Sequence, residues 1–310
     1  MPQRIRIRFP LAAITLPLAL LAASSLAVAQ TDVEVKKGEP VVAAQRVFSA
    51  GHSFHVFVPR ILNDLARSAD IKDHIFVGLS AIGGSRVIQH WNVPEENNKA
   101  KKALRTGDVD VLTLSPIHLP DEGIENFVKL ATDHNPNVRV TIQEFWLPFD
   151  IYDTTFKQRP KKVDHNAPTG EELRRLHAPY FKSMDDHVRK LNRQYGKEAV
   201  SVVPAGQAVI ALREKIIAGQ AAGLKQQNDL FADAIGHARP PLQALVAYCH
   251  FAVIYKRSPI GLPIPAVLEK ANNPQWDAEL NRQLQELAWD AVTQHPLSGV
   301  KSTATNKQPE

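Results

Sequence analysis

From about residue 45 onward, short apolar runs alternate with longer stretches in which apolar residues recur every three to four positions. The runs at 46–50 (RVFSA), 74–79 (HIFVGL), 109–114 (VDVLTL), 138–145 (VRVTIQEF) and 199–203 (AVSVV) read as strands. Between them, helical spacing predicts helices over 54–68, 97–105, 122–132, 170–195 and 206–218. The first of these carries Phe57, Val58, Ile61, Leu62 and Leu65. A final apolar helix is expected over 242–255, ahead of Pro259.

Strands that alternate with helices build βαβ units, and these give a parallel sheet covered on both faces. The expected fold class is α/β, a three-layer flavodoxin-like doubly wound sheet of about five parallel strands. One domain over 45–300 accommodates it. An insertion near 150–170 breaks the rhythm, with Pro160, Pro168 and the basic run 157–162 (KQRPKK). In such sheets ligands gather at the carboxyl ends of the strands, near the switch in strand order.

The two ends of the chain do not share this pattern. Arg4, Arg6 and Arg8 precede an apolar stretch from Leu11 to Ala22, and Ala27-Val28-Ala29 has the small-x-small form of a signal-peptidase site. A signal peptide over 1–29 is expected, with export to the periplasm or beyond and no stable membrane insertion after cleavage. Residues 30–44 read as a flexible lead-in and 301–310 as a disordered polar tail. The net charge of +5 falls to +2 once three arginines leave with the signal. No strongly basic patch interleaved with aromatics remains, so no nucleic-acid partner is expected. The single cysteine, Cys249, excludes an intramolecular disulfide and reads as a small core hydrophobe beside Ala247, Tyr248 and Phe251.

Three segments carry candidate chemistry, two at strand ends and one ahead of the final apolar helix. After the first strand comes Gly51-His52-Ser53-Phe54-His55. A serine at a strand-to-helix junction lies near free backbone N–H groups, which an oxygen nucleophile needs for the charge that develops on the acyl oxygen. Ser53 as a plain helix N-cap explains the same segment. After the second strand, Gly83-Gly84 could bring backbone donors close to a ligand, or simply turn the chain. Far downstream, Asp233-Ala234-Ile235-Gly236-His237 puts a carboxylate near an imidazole, the pairing that orients a general base. An incidental surface pair reads the same way.

Taken in order, Gly-x-Ser-Phe, then glycine after the second strand, then Asp…His before an apolar helix resembles the SGNH/GDSL hydrolase superfamily. Val203-Pro204-Ala205-Gly206 and the stretch 237–263 are also similar to its C-terminal half, so the resemblance spans most of 45–265. It implies Ser53 as nucleophile, His237 as base and Asp233 as its partner. The oxyanion donors would be the N–H groups of Ser53 and of Gly83 or Gly84. Where the family has an asparagine donor after the third strand, this chain has Ser115-Pro116-Ile117-His118. His118 or Gln143 is the candidate substitute, since loss of one donor typically costs on the order of a hundredfold in rate. The family's Asp-x-x-His becomes Asp-x-x-x-His here, with Gly236 to absorb the extra residue.

The resemblance implies a serine esterase acting on a small-molecule or polysaccharide ester, with O-acetyl groups on a carbohydrate as one such substrate. The rival reading is a non-catalytic carbohydrate-binding or assembly protein that retains the fold. No organic cofactor is expected, because neither Gly-x-Gly-x-x-Gly nor a P-loop occurs. The twelve histidines are scattered without a ligand motif, so no metal is expected. His52 and His55 are expected to line the pocket around Ser53. Trp91 and Trp146 read either as substrate walls or as packing, and Arg86 either as an anion contact or as a surface salt bridge.

Overall fold

The computed structural model describes residues 45–147, 150 and 163–301; the expected signal peptide, the lead-in, most of the 150–170 insertion and nearly all of the tail lie outside the described residues. Five parallel strands form one sheet: β1 (Arg46–Gly51), β2 (Ile75–Ala81), β3 (Val111–Leu114), β4 (Arg139–Gln143) and β5 (Val200–Val203), in the order β2-β1-β3-β4-β5. That is the flavodoxin-like doubly wound order, with its switch between β1 and β3. The register runs Ala50↔Ser80 on one side of β1 and Ala50↔Leu114 on the other, so the β1, β2 and β3 ends stand side by side.

Nine α-helices connect and flank the described strands. They are α1 (Val58–Ser68), α2 (Val87–Trp91), α3 (Lys99–Arg105), α4 (Glu122–His134), α5 (Gly170–Tyr195), α6 (Ala205–Ile217), α7 (Pro240–Tyr255), α8 (Ala266–Glu269) and α9 (Ala278–Gln294). Helices α1, α6 and α9 pack around α7, while α2 and α3 pack on α4 and α5 lies on β5. Helix α7 is buried on every side from Leu242 to Tyr255 apart from Gln243, as its predominantly apolar sequence requires. Cys249 sits inside it as a free, buried thiol.

Three expectations change. The helix expected over 54–68 starts only at Val58, because Pro59 suits the first turn of a helix and 52–57 form a separate turn. The short helix α2 was not predicted from the pattern, and 242–255 is not the last helix. Helix α9 follows, capped by the Asp277 carboxylate on the N–H groups of Glu279 and Leu280, with Leu280, Leu284, Leu287 and Val292 facing the core. Among the described residues no helix is long and apolar enough to cross a membrane.

Candidate active site

The chain leaves β1 at Gly51 and turns at once. His55 and Val56 donate their N–H groups to the His52 carbonyl at 2.8 and 3.1 Å, closing a tight turn around Ser53. Gly51 lies in β1 without a left-handed backbone, so its need for glycine is one of space. A Cβ there would fall 2.9 Å from atoms of the His55 ring. Ser53 is therefore not the N-cap of α1, whose N-cap position is Phe57. The Phe54 N–H is taken by His52 Nδ1 at 3.3 Å, whereas the Ser53 N–H donates to no described residue. A free backbone donor next to a hydroxyl is what a developing oxyanion would require.

Asp233 and His237 arrive from the other end of the chain, on the turn between a short helical turn at Gln227–Leu230 and α7. The Asp233 carboxylate organises that turn itself. Its Oδ1 accepts from the N–H groups of Ile235, Gly236 and His237 at 3.0, 3.1 and 3.2 Å. Gly236 has φ +92°, a left-handed conformation that allows three residues between the pair. Asp233 Oδ2 then lies 2.6 Å from His237 Nδ1, and His237 Nε2 lies 2.8 Å from Ser53 Oγ. Because Nδ1 faces a carboxylate, it carries the ring proton. Nε2 is then a lone pair aimed at the serine hydroxyl.

Burial raises the Asp233 carboxyl, but the hydrogen bonds from the His237 ring and the His237 and Gly236 backbone outweigh it, so Asp233 is held below the usual carboxylate range. It therefore stays ionised and opposite the imidazole. Side-chain exposures of 45% for Asp233 and 34% for His237 leave the pair open to water.

Aromatic packing joins the two halves. Phe54 stacks on Trp146, with ring centroids 4.5 Å apart, and meets the His237 ring edge-on at 5.2 Å. Trp146 Nε1 donates to the Gly236 carbonyl at 2.8 Å, tying the end of β4 to the turn that carries His237. From the other side, His165 Nε2 reaches the Asp233 carbonyl at 3.1 Å, and its Nδ1 bonds Asp150 at 2.9 Å. Asp150 is in turn paired with the buried Arg213 of α6. Burial alone would raise Asp150, but His165 and Arg213 hold its carboxyl below the usual range.

The remaining residues singled out from sequence fall into place unevenly. Ile82 donates to the Gly51 carbonyl at 3.3 Å, which sets the loop bearing Gly83 and Gly84 beside the Ser53 turn. Neither glycine N–H donates to a described residue, and a Cβ at either would meet nothing within 4 Å. The base of this loop is held by His90, whose ring bridges Ser80 and Ser85 at 2.7 Å each. His118 is half-buried in the loop after β3.

Gln143 is not placed as an oxyanion donor: it is wholly buried, with its amide committed to Phe54, His55 and His250. His52 and His55 are likewise buried beneath the turn rather than lining an open pocket. His52 Nε2 bonds Ser115 Oγ at 3.1 Å, so the serine that stands where an asparagine was expected holds the turn. Trp91, half-buried, packs edge-on against Phe127 under Lys101, matching the packing reading. Arg86 pairs with Glu122 at 3.3 Å and bonds the Pro120 carbonyl, matching the salt-bridge reading. Among the described residues, no group of three or more His, Cys, Asp or Glu side chains could hold a metal ion.

Sequence reasoning gave no role to Asp150, Arg213, Thr113 or His250.

No family model matches the chain, and no curated protein matches it in sequence. Among solved structures it is similar to a DUF4886 family protein from Bacteroides uniformis, with a TM-score of 0.51 and 16% identity over 80% of this chain and 95% of that one. At that identity the likeness establishes a shared fold and nothing of the chemistry. A protein from Parabacteroides merdae described as a GDSL-like lipase has a TM-score of 0.43 and 14% identity, covering 68% of this chain and 96% of its own. Phospholipase A1 from Streptomyces albidoflavus has a TM-score of 0.40 and 12% identity, covering 69% and 100%. These two weaker likenesses carry no argument, so the functional reading rests on the site itself.

Proposed function

We propose that this chain is an exported serine esterase of the SGNH/GDSL type. The observation that carries the reading is the continuous line of hydrogen bonds from Asp233 Oδ2 through His237 to Ser53 Oγ, at 2.6 and 2.8 Å. Three residues separated by up to 184 positions meet in the order and tautomer that proton transfer from a serine requires.

In this mechanism Ser53 Oγ attacks the acyl carbon of an ester while His237 Nε2 takes its proton. Asp233 stabilises the imidazolium formed. Negative charge on the acyl oxygen is met by the Ser53 N–H and by a donor from the Gly83–Gly84 loop. The carbonyl re-forms, the alcohol departs with the proton held by His237, and the acyl group remains on Ser53. Water then attacks the acyl-enzyme with His237 again as base. The solvent exposure of His237 favours this second step, because water reaches the base directly. An open site also suits an ester displayed on a bulky carrier, and short acyl groups on a polysaccharide fit that description.

The test is a fluorophosphonate, which phosphonylates activated serines in preference to ordinary ones. The purified protein should label on the peptide containing Ser53, with labelling lost in Ser53→Ala and weakened in His237→Ala. Absence of labelling beside a reactive control enzyme would sink the esterase reading.

A further inference from the structure

Beneath the nucleophile turn runs a line of buried polar side chains that the proposed hydrolysis does not use. Gln143, at the end of β4, donates from Nε2 to the Phe54 carbonyl at 3.0 Å. Its Oε1 faces two imidazoles, His55 Nδ1 at 2.9 Å and His250 Nε2 of α7 at 2.9 Å. All three side chains are wholly buried. A carbonyl can only accept, so the NH2 of Gln143 must point at Phe54 and its oxygen at the two rings. Each ring nitrogen facing that oxygen must then carry a proton.

The tautomers follow. His55 is protonated on Nδ1 and His250 on Nε2. Burial pushes His55 down to about 4 and His250 well below the ordinary histidine value, so both rings are neutral. His55 Nε2 is therefore a lone pair, and it accepts from Thr113 Oγ1 at 2.7 Å; Thr113 lies in turn 3.1 Å from Ser49 in β1. The other nitrogen of His250, Nδ1, is buried with no hydrogen-bond partner among the described residues. Burying an imidazole for a single bond is a poor choice for stability, where an apolar side chain of similar shape would serve better. That bond is the one to Gln143.

We propose that Gln143, His55 and His250 are positioning residues that fix the direction of the Ser53 hydroxyl toward His237. Gln143 grips the carbonyl of the residue after Ser53, and the His55 ring is wedged against Gly51, two residues before it. Ser53 is suspended between these two fixed points. The inference rests on Ser53 being the nucleophile of the proposed esterase.

The experiment compares the rate constant for fluorophosphonate labelling of Ser53 with the thermal midpoint across buried-polar variants. Gln143→Met should label about 10- to 100-fold more slowly than the unaltered protein, the penalty expected when a reacting atom is misplaced by around an ångström. Gln143→Glu keeps the acceptor for both histidines but opposes the Phe54 carbonyl, and should lose as much. His250→Phe should keep or raise the thermal midpoint while slowing labelling by less. Gln285→Met is the control. It removes buried bonds to Gly261 N–H and the Leu262 carbonyl and should lower the midpoint without slowing labelling.

A folded Gln143→Met that labels at the unaltered rate overturns the positioning role alone. If the unaltered protein does not label at Ser53, the esterase reading falls and this inference with it. Where a Gln143 variant does not fold, the 15N shifts of the unaltered protein decide. They should show His55 protonated on Nδ1 and His250 on Nε2, and any other pair of tautomers contradicts the arrangement.

Discussion

The two halves of the candidate site are built in opposite ways. The Ser53 turn rests on the core: His52 and His55 are buried, and Ser115, Thr113 and Gln143 bond them from the ends and interiors of β3 and β4. The Asp233–His237 turn projects into solvent and holds its own shape, with three backbone donors on Asp233 Oδ1 and anchors to Trp146 and His165. The difference has a chemical sense. A nucleophile gains from a fixed direction, because misalignment is penalised steeply. A base that must also activate water gains from access. The core supplies the first, and a locally braced surface turn supplies the second.

Variants should separate the halves, and the largest effects fall on the reacting groups. Ser53→Ala and His237→Ala should each lower kcat for an activated ester by about 10⁴-fold or more, as loss of one member disables the whole unit. Asp233→Asn keeps an oxygen for the turn but removes the charge opposite the imidazole. It should lower kcat by about 10²–10⁴-fold with only a small drop in thermal midpoint, since the side chain is 45% exposed. A large drop in its midpoint would show that the surface turn is part of the core after all.

Trp146→Phe keeps the stack on Phe54 but loses the bond to the Gly236 carbonyl. A net hydrogen bond of about 1 kcal/mol corresponds to a loss of about fivefold in kcat if all of it serves to hold the base. An unchanged kcat would mean that the self-bonded turn needs no brace from β4.

The smallest effect on activity is expected from Glu144, one residue past Gln143, and its signature is in stability. Burial drives its carboxyl up to about 7 from the ordinary 4.5, against the opposing pull of His295 and the hydrogen bonds from Gln207. The folded protein thus keeps a proton that the unfolded chain releases above 4.5, so its contribution to stability falls as pH rises through 4.5 to about 7 and levels off above that. Urea unfolding across this range should show the slope, and Glu144→Gln should flatten it. The same slope in the variant would assign it to another group.

The sheet was legible because its strands are short, β-branched-rich and largely apolar runs between helical stretches. That includes the edge strand β2, whose Ile75, Phe76 and Val77 are exposed, and each of the five could be placed within two residues at its boundaries. Its order was anticipated from the βαβ rhythm. Ser53, Asp233 and His237 were legible as strand-end and pre-helix motifs. Helix α9 was not, since its apolar residues are diluted by Arg282, Gln283, Glu286 and Asp290, although Asp277 stood ready as its cap. The placement of Gln143 was missed for a different reason. Its partners lie 88 and 107 residues away, and one of them, His250, sits in a helix that reads as pure core. No local pattern encodes such a pairing. Only the register of β4 against β3, and of α7 behind the sheet, creates it.

The central claim is that Ser53 carries a covalent acyl intermediate. Mixing the protein with p-nitrophenyl acetate, quenching in acid and mapping the digest tests it most directly. The account predicts a burst of nitrophenolate and an acetyl group on the peptide bearing Ser53, both absent in Ser53→Ala. Steady hydrolysis without a burst, unaltered in Ser53→Ala, would contradict it.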